Sequence, residues 1–275
     1  MKMTDPSTQE RKKTRYLIIG CSRSGTTVTH LALMGHPNVC ALNDELKPDP
    51  FFYKGISTFT FGNDSEEEKT QGYSRLFDAM TLIGEDENTL AHGAKIACNS
   101  PIHARRIVEV IQKYLDDTKI IVIRRKDMIA LYGSGKMGAK TGIMHSWDKG
   151  ADNRRIEKIN LGRLGFIAFA TKIEKMYEEL DPLKETNDVL DIFYEDLLED
   201  DDRFYERIFR FLELPEVKPT WLPSKKVLPP PQEYISNYDS LKEDMEKIRE
   251  GNVPRYTLFL ARVLAYLRWN LRRFL

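Results

Sequence analysis

The chain has 275 residues, 41% of them apolar and 31% charged, enough for one large domain or two small ones and too apolar for a disordered chain. Lys plus Arg equals Asp plus Glu at 42 each, a formal net charge of zero; this argues against a general nucleic-acid coat, which carries a basic excess, but leaves room for a local anion pocket. Cys21, Cys40 and Cys98 are widely spaced and odd in number, which fits neither a zinc pattern nor a disulfide framework and points to a reducing compartment.

Residues 1–15 are polar and charged, with no apolar core of signal-peptide length behind them. No apolar run approaches the roughly 20 residues of a membrane-spanning helix, so a cytoplasmic enzyme is expected. The run Tyr16-Leu-Ile-Ile-Gly20 has the unbroken apolar character of a strand buried on both faces. Cys21 to Gly25 form a turn, Thr26 to Met34 a helix, and Gly35-His-Pro-Asn38 its stop. Lys54 to Gln71, rich in Gly, Ser, Thr and acids, reads as an exposed insertion. Gly93 to Ala97 fit a short strand, and Pro101 opens a helix to about Tyr114 with Ile102, Ile107, Val110 and Ile111 apolar on one side.

Lys119 to Ile123 are a second buried strand, followed by a helix starting near Lys126. Gly133 to Gly150 are interrupted by glycine and read as irregular, and a long helix is predicted over Arg154 to Glu179, halted by Asp181-Pro182. Val189 to Phe193 make a further strand, Arg203 to Leu212 an amphipathic helix, and Leu228-Pro-Pro-Pro231 lead into a helical tail. Strands alternating with helices predict an α/β fold of three layers, P-loop-like, with a central, mainly parallel β-sheet flanked by helices. The division expected is a polar tail over 1–14, one domain over 15–253 and a basic amphipathic helix over 254–275.

Gly20-Cys-Ser-Arg-Ser-Gly25-Thr26-Thr27 is a glycine-framed turn between strand and helix, and such turns aim backbone N–H groups at an oxyanion. It is not a Walker A loop: Thr26 stands where lysine should follow the second glycine, and Arg23 is the only formal positive charge. The strand ending at Ile123 runs into Arg124 and Arg125 and offers no aspartate for magnesium, which disfavours ATP or GTP hydrolysis. Ligands of open α/β sheets bind at the carboxyl ends of strands, so the arginine pair would lie at the same edge as the loop. An arginine fork grips two oxygens at once without metal. No His, Cys or Asp cluster has metal-ligand spacing.

These residues resemble the sulfotransferases that use 3′-phosphoadenosine 5′-phosphosulfate (PAPS), nearest in pattern to bacterial carbohydrate and protein-tyrosine sulfotransferases. Ser22-Arg-Ser-Gly-Thr-Thr27 is similar to the family's 5′-phosphosulfate loop, and Ile121-Val-Ile-Arg-Arg-Lys-Asp127 with Ser134 to its 3′-phosphate motif. Further echoes are His36-Pro-Asn-Val39, Tyr194-Glu-Asp-Leu-Leu-Glu-Asp200 and Ile235-Ser-Asn-Tyr238, all in the family's order. The resemblance implies that Arg23 neutralises the bridging and 5′-phosphate oxygens as the S–O bond breaks. Ser22, Ser24, Gly25, Thr26 and Thr27 would complete the loop site, and Arg124 or Arg125 with Ser134 would hold the 3′-phosphate. The usual arginine-to-serine spacing is eight, whereas Ser134 follows Arg125 by nine and Arg124 by ten.

Sulfuryl transfer to a hydroxyl is helped by a base that takes its proton. By the same resemblance Glu45, after the short run Val39-Cys-Ala-Leu42, is the expected base, with Asp44 a competitor. His30 and His36 fit packing and capping roles instead. Lys95, His103, His145 and Trp147 fall in segments that could border the acceptor, each with an ordinary structural role as the alternative.

Residues 255–275 hold Arg255, Arg262, Arg268, Arg272 and Arg273, no acid, and interleaved apolar residues. They fit either a helix packed on the domain, the favoured reading, or peripheral contact with an anionic membrane surface. The function expected is transfer of a sulfuryl group from PAPS to a hydroxyl of a carbohydrate or other small metabolite, releasing adenosine 3′,5′-bisphosphate without a metal or nucleic-acid partner. The alternatives are a nucleotide kinase-like P-loop enzyme and a non-catalytic nucleotide-binding protein.

Overall fold

The computed structural model describes residues 12–42, 77, 78, 81–143, 156–217, 228–254, 257, 259, 260 and 263. Within them β1 (Thr14–Gly20), β2 (Val39–Ala41), β3 (Ala91–Ala97), β4 (Lys119–Arg124) and β5 (Val189–Phe193) form one parallel sheet in the order β2-β3-β1-β4-β5. Alternate residues of each strand serve opposite faces, because successive side chains of a strand point to opposite sides. Leu17, Ile19, Ile120 and Val122 join one core, with α2 (Pro101–Tyr114), α3 (Met128–Thr141), α4 (Arg163–Glu178) and α9 (Tyr238–Arg249) packed over it. Tyr16, Ile18, Ile121 and Ile123 join the other, under α1 (Thr26–Met34) and α7 (Asp201–Phe211). This is the three-layer arrangement expected from the unbroken apolar runs.

The short helices α5 (Leu183–Thr186), α6 (Tyr194–Glu199) and α8 (Pro231–Tyr234) complete the described elements. The ends of three strands fix where a ligand can sit. Gly20 lies opposite Ala97 on one side and Ile123 on the other, so β1, β3 and β4 finish level and their loops emerge side by side. The chain leaves β1 toward β2 and β3 on one side, then crosses to β4 on the other. The crevice outside β1 and β4 is therefore a topological switch point, the usual ligand position of such sheets.

Two predicted segments differ. Residues 133–141, expected to be irregular, continue α3, which runs to a Gly142 cap with φ 72°. The glycines do not break it because the helix is buried and a neighbour approaches closely: a Cβ on Gly133 would stand 2.6 Å from Ile235 Cδ1 and 3.1 Å from the Tyr234 hydroxyl. The helix predicted from Arg154 begins only at Arg163. Ahead of it, Ile159 pairs in parallel with Ile235, its N–H donating to Tyr234 at 2.7 Å and its carbonyl accepting from Ser236 at 2.9 Å, which takes that backbone out of a helix.

Lys54 to Gln71 lie outside the described residues, as does most of the tail after Pro254. Of the tail positions described, Phe259 and Leu260 are exposed. No helix among the described residues is long and apolar enough to cross a membrane.

Candidate active site

The loop after β1 bends through two left-handed residues, Arg23 at φ 74° and Gly25 at φ 97°. Left-handed backbone at a residue other than glycine stores strain and is concentrated at functional sites. At Gly25 a side chain is excluded twice, by the φ angle and by the Tyr194 ring that occupies the Cβ position. Behind the loop, α1 starts without a side-chain cap and without an acid in its first turn. Its first intrahelical bond is Thr29 N–H to Gly25 carbonyl at 3.1 Å, so the N–H groups of Thr26, Thr27 and Val28 have no acceptor within the helix, while the Ser24 N–H closes the turn onto the Cys21 carbonyl at 3.1 Å. The site is therefore the positive end of a helix dipole wrapped by a tight turn. Ser24 is fully buried there, and its hydroxyl finds no hydrogen-bond partner among the described residues.

The loop is braced from two neighbours. Ser22 N–H donates to Asn99 Oδ1 at 2.8 Å, and Asn99 Nδ2 donates back to Ser22 Oγ at 2.9 Å. The Tyr177 hydroxyl donates to the Ile123 carbonyl at 3.0 Å and receives the Cys21 N–H at 3.5 Å. Ser22, predicted as a ligand donor, thus spends its N–H on Asn99. Burial pushes the Cys21 thiol up and the Cys98 thiol up to about 11, so neither supplies a thiolate at neutral pH.

Arg124 and Arg125 have opposite surroundings. Arg124 donates through Nε to both Asp191 oxygens at 2.8 and 2.9 Å and through Nη2 to Asp181 at 3.0 Å, with its guanidinium 4.8 Å over the Tyr177 ring. Burial opposes its charge, but the bonds to and charges of Asp191 and Asp181 outweigh burial and raise its pKa. Arg125 turns to the loop. Its side chain is 8% exposed, Nη1 donates to the Arg23 carbonyl at 3.0 Å, and its guanidinium lies 4.7 Å over the Tyr194 ring. Among the described residues the carboxylate oxygen that meets it is Glu195 Oε1, 3.7 Å from Nε, and Nε has no hydrogen-bond partner among them. Arg125 is the arginine with donor capacity to spare.

The other predicted residues fall as follows. Ser24, Gly25, Thr26 and Thr27 come together with Arg23 and Arg125 at the loop and helix start. Ser134 is buried within α3 and donates to the Leu131 carbonyl one turn back at 3.0 Å. Asp44, Glu45, His145 and Trp147 lie outside the described residues. His30 is structural: Nε2 donates to the Leu42 carbonyl at 2.7 Å, and burial lowers its pKa to about 4. His36 is held against Phe209 at 4.9 Å between ring centroids, with Nδ1 accepting from Asn38 N–H at 3.1 Å. Lys95 is half-buried on β3, and His103 is half-buried in the first turn of α2.

Asn99, Tyr177 and Glu195 take part without having been singled out from sequence. Tyr194 and Glu195 carried a signal as part of the Tyr194-to-Asp200 echo; Asn99 and Tyr177 carried none. Among the described residues no group of three or more His, Cys, Asp or Glu is placed to hold a metal.

A model described as the sulfotransferase family matches residues 16–219, about three quarters of the 275. No curated protein matches the sequence. Among solved structures, a sulfotransferase from Alicyclobacillus acidocaldarius is 16% identical, with a TM-score of 0.43 over 88% of this chain and 96% of its own. The sulfotransferase domain of the olefin synthase of Synechococcus PCC 7002 is 19% identical, with a TM-score of 0.45 over 94% and 97%. That of the curacin biosynthetic pathway is 14% identical, with a TM-score of 0.46 over 93% and 98%.

Proposed function

From its place in the sulfotransferase family, to which this chain belongs, we propose that the protein moves a sulfuryl group from PAPS to a hydroxyl of a carbohydrate or other small metabolite, releasing adenosine 3′,5′-bisphosphate. One observation carries the reading. The crevice between β1 and β4 brings two kinds of anion donor together: a helix start without a side-chain cap beside the buried Ser24 hydroxyl, and the buried Arg125, whose Nε has no hydrogen-bond partner among the described residues. A nucleotide with a 5′-phosphosulfate and a 3′-phosphate presents two separated anionic groups, and this donor set suits it.

The chemistry is a displacement at sulfur. A lone pair of the acceptor oxygen forms the new O–S bond while the bond from sulfur to the 5′-phosphate oxygen breaks, and that oxygen keeps the electron pair. The acceptor proton passes to a carboxylate, for which Glu45 is proposed, with Asp44 beside it as the competing base. Arg23, with the donors of Ser24 to Thr27, would balance the charge appearing on the leaving phosphate. Arg125 would hold the 3′-phosphate and so fix where sulfur sits.

Calorimetric titration with adenosine 3′,5′-bisphosphate, AMP and ATP in the absence of magnesium tests the donor assignment. The expected result is selective binding of the bisphosphate, lost in Arg23→Ala. Equal affinity for bisphosphate and AMP would remove it. Sulfuryl transfer that survives both Glu45→Ala and Asp44→Ala would remove the base assignment.

A further inference from the structure

Glu195 stands two residues beyond the strand β5, in the first turn of α6, and touches the segment that carries Arg125 at three points. Its Oε2 accepts the Lys126 N–H at 2.9 Å, its Oε1 accepts the Asp127 N–H at 3.2 Å, and Oε1 lies 3.7 Å from Arg125 Nε. Both carboxylate oxygens are therefore committed to backbone N–H groups just ahead of α3. At 3.7 Å the charge of Glu195 offsets that of the buried guanidinium without consuming the Nε donor, which has no hydrogen bond among the described residues. Asp191 treats Arg124 differently, taking its Nε with both oxygens. Tyr194 adds a second restraint, its ring under the Arg125 guanidinium and against Gly25.

We propose that Glu195 is a positioning residue that presents Arg125 to the nucleotide and thereby sets the preference for a 3′-phosphorylated over an unphosphorylated ribose. The inference rests on the donor reading above and adds a residue that acts through Arg125. Two backbone bonds to a carboxylate fix the Lys126–Asp127 peptides, and the guanidinium one residue back inherits that placement. Without Glu195 the arginine keeps its charge but loses its register with the loop.

The test compares dissociation constants for adenosine 3′,5′-bisphosphate and AMP, read as a ratio, in the full chain and its variants. Glu195→Ala is expected to lower the preference for the bisphosphate about tenfold, the scale of losing bonds to a charged acceptor, with AMP affinity held within about twofold. Glu195→Gln keeps one acceptor oxygen, should fall between that variant and the wild type, and serves if the alanine variant does not fold. In an Arg125→Ala background Glu195→Ala should change the ratio no further, because its effect passes through that arginine. Asp196→Ala, which removes the ion pair to Lys126 Nζ at 2.8 Å one residue on, should leave the ratio at the wild-type value.

A wild-type ratio in Glu195→Ala overturns the inference, as does an equal weakening of both ligands or an equal effect of Asp196→Ala. A ratio above wild type in Glu195→Gln overturns it too, because it would reduce Glu195 to a repelled charge. A wild-type protein that fails to distinguish bisphosphate from AMP fails at the earlier step: it takes down the donor reading, and the inference with it.

Discussion

The Tyr194 ring occupies the volume that a Cβ on Gly25 would need, and the same ring lies 4.7 Å from the Arg125 guanidinium. A single aromatic side chain at the end of β5 is thus wedged between the loop after β1 and the arginine after β4. Gly25→Ala would meet both the ring and a left-handed φ, the latter costing about 1–2 kcal/mol for a residue with a Cβ. Relief requires the ring to move, which disturbs Arg125 as well as the loop. The expected outcome is a folded protein with a lowered melting temperature and bisphosphate affinity reduced by at least about tenfold, a change of about 1.4 kcal/mol in binding. Titration calorimetry and thermal unfolding measure the two, and wild-type affinity in Gly25→Ala would contradict the wedge.

Adjacent arginines should fail in different ways. Arg124 is committed to Asp191 and Asp181, so Arg124→Ala should cost roughly 1–3 kcal/mol of stability through lost charged hydrogen bonds. Its preference for the bisphosphate over AMP should survive. Arg125→Ala should abolish that preference. Denaturant unfolding and the two-ligand titration separate them, and an exchange of the two phenotypes would reverse the assignment of the 3′-phosphate site.

Much of this geometry is written in short range and therefore legible in the sequence. Leu17 to Ile19 and Ile120 to Val122 are apolar without interruption because both sheet faces are covered, and the glycine-framed turn follows directly. What distinguishes Arg124 from Arg125 is carried by Asp191, Asp181, Tyr194 and Glu195, whose distance in sequence hides their partnership. Asn99 was invisible for the same reason: it meets Ser22 only because β1 and β3 pair level. The glycines of α3 misled because local propensity counts against them, while burial beside Ile235 decides in favour of the helix.

Asn99 supplies a prediction of its own. It holds Ser22 by two reciprocal bonds, at 2.8 and 2.9 Å, and touches nothing on the Arg125 side among the described contacts. Asn99→Ala should loosen the loop and weaken bisphosphate and AMP alike, by roughly tenfold for two lost hydrogen bonds. The ratio of the two constants should stay put. A selective loss of bisphosphate binding would show that Asn99 acts on the arginine side after all.

Acid should weaken the fold before the carboxylates titrate, because two buried histidines are held neutral. His30 donates from Nε2 to the Leu42 carbonyl, while its Nδ1 is buried with no hydrogen-bond partner among the described residues, so a second proton would find no acceptor among them. Burial first, then the Lys95 charge, brings its pKa to about 4. His92 bonds the Thr81 hydroxyl through Nδ1 at 2.7 Å, and Thr81 in turn donates to the Phe77 carbonyl. Its Nε2 faces Asp78, itself shared with Arg15; burial outweighs the Asp78 charge and brings this pKa to about 4 as well. In the unfolded chain both rings titrate near 6.5, so above that pH neither state holds the extra proton and the stability is fully present. As pH falls from about 6.5 toward 4 the unfolded chain takes up protons first, and stability drops by up to about 1.4 kcal/mol per pH unit for each ring. Below about 4 the folded state binds them too and this loss levels off. Denaturant midpoints measured from pH 8 to 5 should decline below about 6.5, and His92→Asn, which keeps a donor toward Thr81, should decline less steeply. A midpoint that stays flat across that range would mean that both rings accept a proton in place, and the buried, one-sided bonding of His30 would have to be redrawn.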